Sequence, residues 1–308
     1  MTGEYKKRIA DALLARKLEG KGAVLIEGPK WCGKTTTAEQ VAQSVLYMDN
    51  PETREQNIAM ASMNPKRLLR GDTPRLIDEW QLAPALWDAV RFEADHRDGL
   101  GQFILTGSAV PPDTAEIAHS GTGRFTWLTM RPMSLYESGD STGEVSLGAL
   151  FSDPTSVDGE NEGDLNRLAF LICRGGWPQA VDMRDEIALD QAYDYFDGVV
   201  RSDINRADGI QKDSERVRRL MRSYARNQAS QAANTVIAQD MENNESTPID
   251  AETVALYIRA LNVFSSWKIC RHGIRISGRK RRFVRRIQDI TSIRRSPRRR
   301  SASARKIC

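Results

Sequence analysis

Lys34 and Thr35 have the surroundings that most define a chemistry in this 308-residue chain. They close the string Gly28-Pro29-Lys30-Trp31-Cys32-Gly33-Lys34-Thr35. It fits G-x-x-x-x-G-K-[ST], a loop whose backbone N–H groups cradle phosphates. Lys34 would reach the β and γ phosphates of a nucleoside triphosphate, and the Thr35 hydroxyl would ligate Mg²⁺. With Thr36 at the start of the following helix, residues 28–36 form the expected nucleotide-contacting set. The flanks agree. The apolar run Ala23-Val24-Leu25-Ile26 reads as a buried strand, and a helical pattern follows the loop. A strand, a glycine loop and a helix N-terminus together aim N–H groups at an anion.

Three further segments carry matching chemistry. Leu76-Ile77-Asp78-Glu79 is an apolar strand ending in two acids. Asp78 would hold Mg²⁺ through water, and Glu79 would orient or activate the attacking water. An acidic cap after a strand is the plainer alternative. Phe103-Ile104-Leu105-Thr106-Gly107-Ser108 is a strand with a polar end, so Thr106 and Ser108 are candidates to sense the γ-phosphate. Gly121-Thr122-Gly123-Arg124 is a glycine loop carrying an arginine that could stabilise transition-state charge. A surface arginine is the competing reading, and Arg131 is a weaker candidate for the same task. His96, His119 and His272 are isolated, with no second ligand at metal spacing.

These residues need a frame. Strands are expected at 23–26, 45–48, 75–77 and 103–105, separated by helical segments, with an opening helix over 5–17. Alternating strands and helices imply an α/β fold with a parallel sheet covered on both faces. Residues 138–164 are rich in Gly, Ser, Asp and Glu and read as a solvated loop or linker. From 165 to 261 helix formers dominate, with Asp250 as the N-cap of a segment ending at Leu261. Arg219, Arg222 and Arg226 fall at helical spacing there and read as a solvated basic face or a nucleic-acid contact.

Composition sets bounds. Met1 to Lys17 is charged rather than apolar, which argues against a signal peptide. No apolar run approaches the roughly 20 residues of a membrane-spanning helix. The four cysteines are scattered, suggesting neither a zinc site nor a disulfide framework, and a reduced cytoplasm is the expected setting. The net charge of +4 conceals two opposed parts. Residues 262–308 hold 16 of the 45 Lys and Arg and one of the 41 Asp and Glu. Residues 1–261 are left with 29 and 40, a net of −11.

The segments GPKWCGKTT, RLIDEWQ, ILTGSA, GTGRF, MRPMSLYE and CRGGWP occur here in that order. Together they resemble a family of prokaryotic AAA-like P-loop ATPases whose members carry a C-terminal domain of unknown function. The resemblance covers roughly residues 5–261. It implies a sheet with an additional strand between the two nucleotide-binding strands. It also implies Lys34 and Thr35 as phosphate and Mg²⁺ contacts and Asp78 with Glu79 as the acidic pair. The helical region over 165–261 resembles the start of a winged-helix domain, a fold that binds DNA or docks protein. The Gly175-Gly176-Trp177-Pro178 turn is a family marker whose plain reading is a tight turn with Trp177 in the core.

The tail from Asn262 to Cys308 has no Leu and no Glu and shows no helical or strand periodicity. A disordered, basic nucleic-acid tail is one reading. A frameshift is the favoured one. Read one base out of frame with permitted codons, the tail spells a family-like ERLFVVEDMPAW segment. On that reading the chain is truncated near Leu261.

The domain expectation is therefore an ATPase core over 1–137, a linker over 138–164, a helical region over 165–261 and a basic tail. The functional expectation is a cytoplasmic ATPase that couples Mg-ATP binding and hydrolysis to conformational change. A nucleic-acid-binding regulator and a truncated product with residual ATP binding are the alternatives. ATP, DNA and a second copy of the chain are the partners this reading admits, and a membrane is not.

Overall fold

The computed structural model describes residues 4–107, 121–160, 163–206, 212–228, 230, 232–246, 248–263, 269–273 and 283–287. The chain divides into two compact units. Residues 1–131 with 261–266 form the first, and residues 132–260 with 267–308 the second. The division after Arg131 falls earlier than the boundary at 137 expected from sequence.

The first unit opens with helix α1 (Ile9–Gly20) and strand β1 (Ala23–Glu27). Then come α2 (Lys34–Glu39), β2 (Ser44–Tyr47), α3 (Arg54–Met63), α4 (Pro65–Leu68) and β3 (Arg75–Asp78). A 3-10 turn over Trp80–Leu82 leads to α5 (Ala85–His96), β4 (Phe103–Gly107) and β5 (Phe125–Thr129). The strands form one parallel sheet in the order β2-β3-β4-β1-β5. The additional strand β4 thus lies between β1 and β3, as the resemblance implies.

Burial explains why these segments are strands. Parallel strands are covered on both faces and so read as continuous apolar runs. Ala23, Val24, Leu25 and Ile26 of β1 and all five residues of β4 are buried. Alternate residues face opposite layers. Leu25, Ile77, Phe103, Leu105 and Phe125 pack with Trp80, Leu86, Trp87 and Val90 on one side. The ring of Trp87 stacks on Phe125 at 4.0 Å. Strand β5 begins at Phe125, directly after the loop over 121–124, where the sequence reading named no strand.

The second unit is mostly helical: α6 (Leu147–Ser152), α7 (Leu165–Arg174), α8 (Pro178–Val181), α9 (Asp185–Gly198), α10 (Ile204–Arg206), α11 (Ser214–Arg226), α12 (Asn234–Glu245) and α13 (Ala251–Val263). Helices α7 and α9 pack together, as do α11 and α12. The stretch 138–164 is not wholly a free linker. Asp140 accepts from the buried Arg174 at 2.7 Å and from Arg167 at 2.7 Å.

The tail differs from the expectation of a segment without periodicity. Strands β6 (Ile269–Gly273) and β7 (Phe283–Ile287) pair antiparallel. Phe283, Val284, Ile269 and Ile287 are residue types that favour extended backbone.

Candidate functional site

The C-terminal ends of β1, β3 and β4 lie side by side, because Glu27 is in register with Gly107 and Asp78 with Thr106. In open parallel sheets ligands bind at this edge. The phosphate-loop string leaves β1 here. A side chain at residue 28 would put its Cβ 2.2 Å from the Met130 carbonyl oxygen, so only glycine fits where the loop passes β5. Gly33 has φ +97°, which frees the chain to turn into α2. Trp31 holds φ +63° without being glycine, and its side chain is exposed. Non-glycine residues in that region cost of order 1–3 kcal/mol and cluster at functional sites.

Lys34 is buried, and its Nζ donates to the carbonyls of Gly28 at 3.1 Å and Pro29 at 2.9 Å. Its ammonium therefore lies inside the curl of the loop. Thr35 Oγ1 donates to Asp78 Oδ1 at 2.8 Å, and Thr106 Oγ1 donates to the same oxygen. Helix α2, the loop, β3 and β4 thus converge on one carboxylate. Cys32 is fully buried, and burial pushes its thiol up, so it packs as an apolar group. Thr36 is exposed at the start of α2, and Lys30 is half-buried.

Burial pushes the carboxyl of Asp78 up, partly offset by the hydroxyls of Thr106 and Thr35. The same cause raises Glu79, offset by a hydrogen bond from Gln81. Glu79 sits at φ +53° between β3 and the following turn, and its Oε2 accepts from Gln81 Nε2. Asp49, just past β2, adds its negative charge to both acids. Gln81 and Asp49 were missed at the sequence level. Gln81 stands inside RLIDEWQ, and its position two residues past Glu79 was the available signal.

Arg124 is not brought to this edge. It precedes β5, its carbonyl accepts from Ala23 N at 3.3 Å, and its side chain pairs with Asp95. Ala23 begins β1, so Arg124 lies at the opposite end of the sheet. Five residues of strand, at about 3.3 Å each, separate it from the loop. Arg124 therefore does not face its own chain's phosphate loop, and a finger role for it would be played across a boundary between copies. Arg131 follows β5 at the loop's end of the sheet. Ser108 and His119 fall outside the described residues. His96 stacks on Phe92 at 3.9 Å.

The arginines of α11 are not a bare basic face. Arg226 pairs with Asp240 at 2.6 Å and Glu245 at 2.8 Å, and Arg222 with Glu245 at 3.0 Å. Arg219 donates to the Glu245 carbonyl at 3.4 Å. These cations tie α11 to α12. Trp177 is buried against Tyr195 at 4.3 Å. A Cβ on Gly176 would come within 2.0 Å of the Met133 carbonyl oxygen. The CRGGWP turn is thus a packing device.

Residues 20–139 match the family model of the AAA domain, the class of P-loop domain that this geometry describes. These residues are an AAA domain. Beyond it, residues 165–283 match a domain of unknown function (DUF8612), a match that runs past Leu261 into the tail. No curated protein matches the chain. Among solved structures, the chain is similar to a Walker-type ATPase of Pyrococcus abyssi at 13% identity. That likeness covers 87% of this chain and 91% of the other, with a TM-score of 0.49. Among the described residues, no helix is long and apolar enough to cross a membrane. Three or more His, Cys, Asp and Glu nowhere cluster to hold a metal among those residues.

Proposed function

We propose that the AAA domain binds Mg-ATP on residues 28–36 and hydrolyses it, coupling turnover to a change of conformation in the chain. The observation that carries this reading is the meeting of Thr35, Thr106 and Asp78 on one carboxylate oxygen beside the buried Lys34. A hydroxyl and a carboxylate are hard oxygen ligands, the donor set Mg²⁺ takes. When bound, Mg²⁺ would neutralise charge on the β and γ phosphates. The loop N–H groups and Lys34 hold the phosphates, and Thr106 senses the terminal one. Glu79 holds the attacking water as base, oriented by Gln81.

Thermal unfolding with and without Mg-ATP tests binding. At about a hundredfold excess over Kd the ligand adds about 2.7 kcal/mol. Lys34→Ala is expected to lose that protection and all turnover. Glu79→Gln is expected to keep the protection and lose turnover. An unchanged melting temperature for the parent at saturating Mg-ATP would sink the assignment.

A second reading, a nucleic-acid-binding regulator of winged-helix type, has one supporting observation. Three helices, α11, α12 and α13, are followed by the antiparallel pair β6–β7, the order such a fold requires. Against it, Arg219, Arg222 and Arg226 of α11 are engaged with α12. ATP turnover measured with and without duplex DNA separates the two readings, since only the regulator responds.

A further inference from the structure

Arg8 lies upstream of every motif above and of the matched AAA domain. It stands immediately before α1 and is buried. Its Nη1 donates to the Cys32 carbonyl at 2.8 Å, and its Nη2 to the Arg131 carbonyl at 2.7 Å. Cys32 is inside the phosphate loop, and Arg131 follows β5. The surrounding segment is fastened as well. The Arg8 backbone N–H donates to Asp11 Oδ2 at 2.8 Å, and Tyr5 Oη donates to Asp11 Oδ1 at 2.6 Å. The same Tyr5 hydroxyl lies 3.0 Å from Thr37 Oγ1 on α2.

The peptide unit is planar and trans, so its C=O and N–H point in opposite directions. Holding the Cys32 carbonyl on one side fixes the Gly33 N–H on the other. Gly33 at φ +97° has little restraint of its own. The guanidinium is a rigid planar fork, suited to hold two acceptors at once.

We propose that Arg8 is a positioning residue for the nucleotide: it fixes the Cys32–Gly33 peptide plane so that the loop presents its N–H groups to phosphate. This rests on the proposed nucleotide site. Arg8 touches no phosphate itself. It acts through the loop backbone, with the chain after β5 as the second anchor.

The test is Mg-ATP and Mg-ADP titration of the full chain by calorimetry, with thermal melts run alongside. Arg8→Lys keeps the charge and the buried stem but not the fork, and is expected to bind both nucleotides several-fold more weakly. Arg8→Ala is expected to lose about tenfold or more, the scale of one hydrogen bond to a charged group. KM should rise more than kcat falls, and the nucleotide-free melting temperature of Arg8→Lys should stay near the parent's. Parental affinity in both variants would overturn the proposal and leave Arg8 as an anchor for α1 alone. If Arg8→Ala gives no cooperative melt, Arg8→Lys decides by itself, and parental affinity there has the same meaning. A parent that binds no better than Lys34→Ala would overturn the nucleotide site itself, and this proposal with it.

Discussion

Gly107 has no side chain, and Gln81 takes the space. A Cβ there would sit 2.5 Å from Gln81 Oε1 and 3.2 Å from Trp80 Nε1. Gly107→Ala should push the Gln81 amide off Glu79 while leaving the loop intact. The expected result is Mg-ATP affinity near the parent's and kcat at least tenfold lower, read by calorimetry and steady-state turnover. Residues of this kind mark where the sequence stops being legible. Lys34, Thr35, Asp78 and Thr106 are dictated by chemistry at fixed spacing and short strands, so their convergence could be expected. Arg8, Asp49 and Gln81 act through neighbours met only in three dimensions, and no spacing rule announces such neighbours.

At the scale of elements, β1, β3 and β4 were legible because strands buried on both faces are apolar throughout. Strand β5 was not. It pairs with β1 alone, and its residues Thr126, Trp127 and Thr129 are not buried. A half-covered edge strand after two glycines reads like a loop. The arginine stripe of α11 was visible, but its acids lie on another helix, so periodicity could not assign them. The pairing of Asp140 with α7 has a pH signature. Burial pushes this carboxyl up, but bonds from Ser138, Arg174 and Arg167 outweigh it and hold it below the usual range. A depressed folded value stabilises the chain above the ordinary carboxylate pKa of about 3.9. That contribution is lost as the pH falls through the folded value. Melting temperatures from pH 5 down to pH 2.5 should therefore fall less steeply for Asp140→Asn than for the parent, and Asp140→Asn should be the less stable of the two at pH 7.

At the scale of the whole molecule, charge is divided by position along the chain. Residues 262–308 carry 16 basic side chains and one acidic, against a net of −11 before them. With Arg219, Arg222 and Arg226 engaged by α12, the nucleic-acid reading puts nonspecific attraction to phosphate in this tail. Each phosphate neutralised contributes a slope of about −0.9 to log K against log salt. Duplex DNA binding by the full chain should be sequence-independent, fall steeply between 50 and 200 mM salt in a filter or anisotropy assay, and vanish when the chain is cut after Leu261. Sequence-selective binding by the cut chain would instead place recognition in the helices over 165–261. Arg124 is governed by the sheet as a whole. It cannot reach its own chain's loop, so any role in turnover requires a second copy. Arg124→Ala should hydrolyse ATP at the parental rate per chain in dilute solution. Specific activity that rises with parent concentration, but not with Arg124→Ala, would identify the contribution between copies.

The direction of the strands makes that division general. Five parallel strands end together, so the sheet has a head and a foot. Its head holds Lys34, Thr35, Asp78, Glu79 and Thr106, and its foot holds Arg124 with Asp95. Substitutions at the foot should change assembly and stability without touching affinity for phosphate. Substitutions at the head should change affinity and turnover without loosening the foot. The sheet has two ends in space, unrelated to the chain's two ends in sequence.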